Sequence, residues 1–231
     1  MTLTKAIRQE MGKIIKYLSN GYSFEEAVSC AVRTLKNGKV IALPTDTIYG
    51  VAALAQNTEA VDRMCKIKRR DQVKKSVAIC VSCVDDIAKW GKIVFPKAIL
   101  TDLLPGPVTL IMERKPALNP KLNPHTSTIG IRIPKSHFIQ CVAAECDEPL
   151  ALTSANVSSS RSTLAVEEFQ EIWPDLDLII DGGVLGQCDP DRLGSTVVDL
   201  STEGFFKIVR NGCWRDNTVN ILLKYGLKEI C

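Results

Sequence analysis

The sequence predicts an α/β domain built on a mixed sheet, and three observations carry that reading. Short runs rich in β-branched residues recur at Lys39 to Leu43, Val77 to Val81, Val108 to Met112, Ile129 to Ile133, Leu150 to Thr153, Leu178 to Ile180, Thr196 to Leu200 and Phe206 to Val209. Helical patterns lie between several of them. Prolines and glycines fall between elements, as in Pro105-Gly106-Pro107 and Asp181-Gly182-Gly183, so they punctuate one domain and mark no linker. Strands interleaved with helices argue for a mixed sheet with flanking helices.

The elements follow in order. Residues 1 to 20 carry Lys5, Arg8, Lys13 and Lys16 against the single acid Glu10, with Ile7, Met11, Ile14, Ile15 and Leu18 at helical spacing. Two readings fit: a mitochondrial presequence, amphipathic and poor in acids, or a peripheral helix at the domain edge. Ser23 and Glu26 form a capping box, and Ala27, Val28, Ala31, Val32 and Leu35 repeat at helical spacing until Asn37-Gly38. A second helix starts at Thr58, runs through Val61, Met64, Cys65 and Ile67, and delivers a basic run at its end. Further helical patterns cover 136 to 146 and 165 to 172. The expected organisation is an amphipathic segment over 1–22, one domain over 23–225 and a tail over 226–231.

At 231 residues and 45% hydrophobic content, the chain is long enough to bury one sizeable core. Its net charge of +3 is too small to mark a nucleic-acid binder by bulk electrostatics, so any grip on phosphate must come from local clustering. Nine cysteines, an odd count, do not suit a closed disulfide framework and fit a reducing compartment. The expected location is cytoplasmic, with a mitochondrial pool if the first residues act as a presequence. Cys80 and Cys83 form a lone Cys-x-x-Cys in a strand-like run and read as core thiols rather than metal ligands. No stretch reaches the roughly 18 apolar residues of a membrane span.

Four clusters lie at strand ends and turns, where a rigid scaffold usually presents function. Pro44-Thr45-Asp46-Thr47-Ile48-Tyr49-Gly50 puts hydroxyls and a carboxylate at a strand exit, as a site or as a capped turn. Lys66-Ile67-Lys68-Arg69-Arg70-Asp71-Gln72-Val73-Lys74-Lys75 holds six cations in ten residues, suited to phosphate or simply a solvated basic face. Thr153-Ser154-Ala155-Asn156-Val157-Ser158-Ser159-Ser160 offers hydroxyls, an amide and successive backbone N–H groups to an anion or sugar, or caps the next helix. Gly194-Ser195-Thr196 opens a strand and Arg210 closes the next. The two histidines, His125 and His137, lie near no serine or cysteine motif, so a His-activated nucleophile is not expected. The glycine patterns of the P-loop and of the dinucleotide fold are absent.

In this order the clusters resemble the threonylcarbamoyl-AMP synthase family of YrdC and Sua5 proteins. The matching pieces are Pro44 to Gly50, the Lys-x-Arg of Lys68 and Arg70, Leu104-Pro105-Gly106-Pro107-Val108-Thr109, Thr128-Ile129-Gly130-Ile131-Arg132-Ile133-Pro134, the Ser-x-Asn of Ser154 and Asn156, Ile180-Asp181-Gly182-Gly183, and Ser195-Thr196-Val197-Val198-Asp199. The resemblance spans about residues 25 to 225 and is closest to single-domain animal members. It implies a twisted sheet around an open, positively charged cavity. The implied reaction is a nucleotidyl transfer joining L-threonine, bicarbonate and ATP, with Mg²⁺ on the phosphates, into threonylcarbamoyl-AMP, diphosphate and water. That product would feed N6-threonylcarbamoyladenosine formation in tRNAs reading codons that begin with A, through a KEOPS-type transferase and with a tRNA contact. Lys68, Arg70, Thr128, Ser154, Asn156 and Arg210 would hold ATP; Thr45, Arg132 and Ser195 would hold threonine. No covalent nucleophile and no resident metal are implied. The chain departs from the family where Asp71 and Ser76 replace frequent prolines, and where Asn211 stands in an Arg-Pro-Gly. The competing reading is an RNA-binding module that uses the same basic cavity without catalysis, motivated by the 66–75 run.

Overall fold

The computed structural model describes residues 13–17, 22–69, 76–157, 160–186 and 192–230. They form an 11-stranded sheet flanked by helices. The strands are β1 (Lys13–Lys16), β2 (Ile41–Pro44), β3 (Tyr49–Leu54), β4 (Ala78–Cys80), β5 (Val108–Glu113), β6 (Thr128–Arg132), β7 (Leu150–Ser154), β8 (Leu178–Asp181), β9 (Thr196–Asp199), β10 (Phe205–Arg210) and β11 (Lys228–Glu229). Their order across the sheet is β1-β8-β2-β3-β7-β4-β6-β5-β9-β10-β11. Parallel pairs (β1 with β8, β8 with β2, β4 with β6, β5 with β9, β10 with β11) occur beside antiparallel ones (β2 with β3, β3 with β7, β7 with β4, β6 with β5, β9 with β10), which makes the sheet mixed as expected.

The helices are α1 (Phe24–Lys36), α2 (Thr58–Ile67), α3 (Val84–Trp90), α4 (Ala98–Leu103), α5 (His137–Cys146) and α6 (Arg215–Lys224). The Ser23 side chain accepts from the Glu26 backbone at 3.1 Å and the Glu26 carboxylate accepts from Ser23 at 2.8 Å, so both halves of the capping box start α1. It stops at Asn37, and Gly38 turns the chain with φ of 70°. Asn57 caps α2 through its side chain.

Because successive strand residues face opposite sides, each strand feeds two cores. Val40 and Ala42 join Val51, Ile79, Leu110, Ile131 and Val198 on one face, where α2 packs. Ile41 and Leu43 join Ala52, Cys80, Leu150 and Leu152 on the other, against α1 and α5. The helices over this second face stop short of β5, β6 and β9. There the sheet itself forms the floor of a cavity.

Three differences from the sequence reading have physical causes. Lys13–Lys16 is a strand, not a helical turn: Ile14 and Ile15 are adjacent and satisfy either period, and the open edge of β8 takes the backbone. Ile15 is fully buried and Lys16 pairs with Asp181 at 3.2 Å. The segment expected to be helical over 165 to 172 is a 3₁₀ stretch, Val166–Asp175, kinked at Phe169 and containing Pro174. Strand β3 and helices α3, α4 and α6 carry no clear signal in the sequence, and the expected tail over 226–231 includes strand β11, which pairs with β10. The rest of the 1–20 segment lies outside the described residues. Cys80 is a core thiol pushed up to about 12 by burial, whereas Cys83 is exposed before α3, so the two do not act as a pair.

Candidate functional site

The cavity encloses about 190 Å³ and is floored by side chains that share one face of adjacent strands. Register explains the grouping. Ile111 faces Gly130 across β5 and β6, Gly50 faces Ser154 across β3 and β7, Ala78 faces Leu152 across β4 and β7, and Thr109 faces Val197 across β5 and β9. Two glycines keep the floor open. A Cβ on Gly130 would come within 3.0 Å of the Thr109 methyl, and one on Gly50 within 2.8 Å of Leu152. Among the described residues, the charged side chains on the lining are Arg132 and Arg210.

Arg132 ends β6 inside the protein. Its Nη2 donates to Asp46 Oδ1 at 2.7 Å, and the other oxygen of Asp46 accepts the Lys135 backbone N–H at 2.9 Å. Both side chains are buried, at 9% and 7% exposure, so the pair is shielded from solvent. Arg132 Nε is buried with no hydrogen-bond partner. A buried guanidinium with an unspent N–H is built to receive an anionic oxygen.

Thr45 closes the β2–β3 turn. Its hydroxyl donates to Ile48 O at 2.7 Å and accepts from the Thr47 and Ile48 backbone N–H groups at 3.2 and 3.3 Å. Ser195, before β9, is 2% exposed and its Oγ lies 2.8 Å from Thr109 Oγ1. Arg210 donates from Nη2 to Ser195 O at 2.7 Å and to Ser195 Oγ at 3.0 Å. The Asn211 departure leaves this turn intact because Gly212 does the close packing: a Cβ there would lie 2.1 Å from Thr196 N.

Of the residues expected at the site, Thr45, Arg132, Ser154, Ser195 and Arg210 line this cavity together. Lys68 does not line it. It is 1% exposed, and its ammonium donates to the carbonyls of Ser154 and Asn156, tying the end of α2 to the turn after β7. Asn156 also stands behind the lining; its Nδ2 donates to Val157 O and Ser160 O, while its Oδ1 is buried and unpartnered. Thr128 sits on the cavity face of β6, but four residues from Arg132, about 13 Å along the strand. Its hydroxyl bonds Thr126 at 2.9 Å. Arg70, Asp71, Lys74, Lys75, Ser158 and Ser159 lie outside the described residues; Ser76 is exposed at the cavity edge. The sequence alone assigns no role to two participants: Asp46, a carboxylate whose partner is 86 residues away, and Thr109, which stands at the end of a matching motif.

A twisted α/β sheet whose bare face holds two arginines and a set of buried hydroxyls offers a surface chemically suited to a small anionic ligand. Comparison with known proteins gives the family. The Sua5–YciO–YrdC family model, which carries the description "Telomere recombination", matches residues 33–212. Threonylcarbamoyl-AMP synthase of Bos taurus is 50% identical over 204 residues, 87% of this chain and 74% of its own. The Homo sapiens protein of that name is 50% identical over 205 residues, again 87% of this chain, and 73% of its own. Among solved structures, P. abyssi Sua5 complexed with L-threonine superposes with a TM-score of 0.77 at 21% identity over 94% of this chain, which spans 62% of that one. E. coli YciO superposes at 0.72 and 24% identity, covering 87% of this chain and 94% of its own. These last two likenesses speak for the fold. The chain belongs to the Sua5–YciO–YrdC family.

Proposed function

We propose that the protein is a threonylcarbamoyl-AMP synthase, a nucleotidyltransferase of tRNA modification. The observation that carries this is 50% identity, over 87% of the chain, to mammalian proteins of that name. The cavity makes chemical sense of it. Threonine's amine captures bicarbonate-derived carbon dioxide with loss of water, giving a carbamate. A carbamate oxygen then attacks the α-phosphorus of ATP, the bond to the β-phosphate bridging oxygen breaks, and diphosphate leaves. Neither step needs an enzyme nucleophile, and among the described residues no histidine, cysteine or carboxylate lines the cavity. Placement of the reactants and preorganised donors supply the acceleration.

Arg132, with its unspent Nε, takes the threonine carboxylate, and Ser195 and the Thr45 turn bound the same end. Arg210, Ser154 and Asn156 adjoin the nucleotide, with Thr128 farther along the β6 face. The enclosed space falls below the roughly 300 Å³ of a drug-sized pocket. It therefore suits the threonine half, and the nucleotide extends beyond it. Lys68 supports the nucleotide through the Ser154–Asn156 turn, and Arg70 is assigned to the triphosphate from its place in the motif. Mg²⁺ is assigned to the phosphates of ATP, entering as part of the substrate. Transfer of the product to tRNA by a KEOPS-type complex, a contact with tRNA, and cytoplasmic residence with a mitochondrial pool belong to the same proposal.

Incubation with MgATP, bicarbonate and labelled threonine is expected to release threonylcarbamoyl-AMP and diphosphate in equal amounts. ATP turnover without incorporation of threonine would overturn the reading. An RNA-binding module without catalysis is not favoured. It would show tight, salt-sensitive RNA binding indifferent to ATP and threonine.

A further inference from the structure

We infer that Thr109 is a positioning residue for threonine recognition: it fixes the Ser195 hydroxyl so that one buried hydroxyl hydrogen is held for an oxygen of the bound ligand. This rests on the proposed synthase reading and adds to it a residue with no assigned role. The argument is a count of hydrogens. A serine hydroxyl has one hydrogen to donate and two lone pairs to accept with, whereas arginine only donates. The 3.0 Å contact from Arg210 Nη2 therefore occupies one lone pair of Ser195 Oγ. The 2.8 Å contact with Thr109 uses one hydroxyl hydrogen, from whichever partner donates. If Thr109 donates, both lone pairs of Ser195 are filled and its own hydrogen is unspent. If Ser195 donates, the unspent hydrogen is that of Thr109.

In both arrangements one hydrogen remains, and the described protein offers it no further acceptor. Both residues line the cavity, at 5% and 2% exposure. A buried donor left unmet is costly, so an acceptor oxygen of the ligand completes the trio. Arg210 biases the choice: a cation on one lone pair polarises the Ser195 O–H, so Ser195 gives its hydrogen to the anionic ligand oxygen while Thr109 donates to the remaining lone pair of Ser195. The pairing needs β5 beside β9 in parallel register, Thr109 opposite Val197, which puts Ser195 on the diagonal two residues before that partner. Gly130 adds no side chain to the lining beside the Thr109 methyl, where a Cβ would be crowded at 3.0 Å.

The test measures initial rates of threonylcarbamoyl-AMP formation, with threonine and ATP varied separately, for wild type, T109V, T109S, S195A and the T109V/S195A pair. Valine keeps the shape and removes the hydroxyl; serine keeps the hydroxyl. T109V is expected to raise KM for threonine about tenfold, the loss of one hydrogen bond to a charged group, with KM for ATP unchanged. T109S should stay within about twofold of wild type. Because Thr109 acts through Ser195, the pair should be no worse than S195A alone. The inference is overturned if T109V binds threonine as wild type does, if T109S is as impaired as T109V, or if the two losses multiply. Should T109V fail to fold by circular dichroism, T109A carries the same prediction. Wild type forming no product would instead defeat the synthase reading, and calorimetric titration of threonine into wild type and T109V would still decide the role of Thr109.

Discussion

A guanidinium shielded from water must have its charge met, and Arg132 meets it with Asp46 at 2.7 Å. Removing one partner of such a pair leaves the other buried and uncompensated, at about 3 to 5 kcal/mol. Asp46→Ala is accordingly expected to lower unfolding stability by about 3 kcal/mol in urea titration and to raise KM for threonine as Arg132 loses its aim. Unaltered stability would mean that the pair is broken in solution. Asp46 was visible in the sequence only as a carboxylate in a turn. Its partner stands 86 residues away, and nothing within the turn indicates it. Thr109 was hidden for the same reason, since its hydroxyl acquires meaning only beside Ser195, also 86 residues distant. Lys68 is the converse. Its place in a basic run suggested a phosphate contact, yet its ammonium turns inward to two backbone carbonyls.

The elements that proved legible are those whose signals are local. The capping box of α1, the Asn57 cap of α2 and the runs of β-branched residues lie within a few residues of what they specify. Strand β3 was missed because Gly50-Val51-Ala52-Ala53 is apolar throughout, without alternation, and buried on both faces. The turn from β10 into α6 is a further case. Gly212 sits there because Thr196 N and the Ser195 carbonyl leave no room for a Cβ, at 2.1 and 2.5 Å. Gly212→Ala is expected to push this turn off β9, costing about 3 kcal/mol of stability, and to loosen Arg210 from Ser195. Thermal unfolding together with KM for threonine would register both effects. A variant as stable and active as wild type would contradict the close packing.

At the scale of the molecule, the loop that leads into Ser195 is anchored to the 3₁₀ segment by a two-point contact. Arg192 Nη1 and Nη2 donate to Glu168 Oε2 and Oε1 at 2.7 and 2.8 Å, and Nη1 also donates to Ser162 O. These hydrogen bonds from Arg192 hold the Glu168 carboxyl down at about 2. A carboxyl depressed on folding stabilises the protein above its unfolded pKa, near 4.3, and that contribution fades as pH falls toward its folded value. The Glu168 side chain is about one-third exposed, so solvent screening reduces the contribution to about 1 kcal/mol. Glu168→Gln should therefore be about 1 kcal/mol less stable than wild type at pH 7, with the gap closing between about pH 5 and pH 2. A gap constant over that range in urea unfolding would remove Glu168 from the acid response.

What the sequence by itself determined is the α/β class, most strand positions and half of the helices, and the ordered motifs that point to threonine and ATP. Each of these depends on chemistry within a few neighbouring residues. Tertiary structure alone decided that Lys13–Lys16 becomes an edge strand, that Lys68 braces a turn, and that Thr109, Ser195 and Arg210 share one hydrogen-bonding centre. Those outcomes depend on which strands lie side by side. Strand order is set by burial of the whole sheet, and a side chain's partner across β5 and β9 exists only once that order is in place.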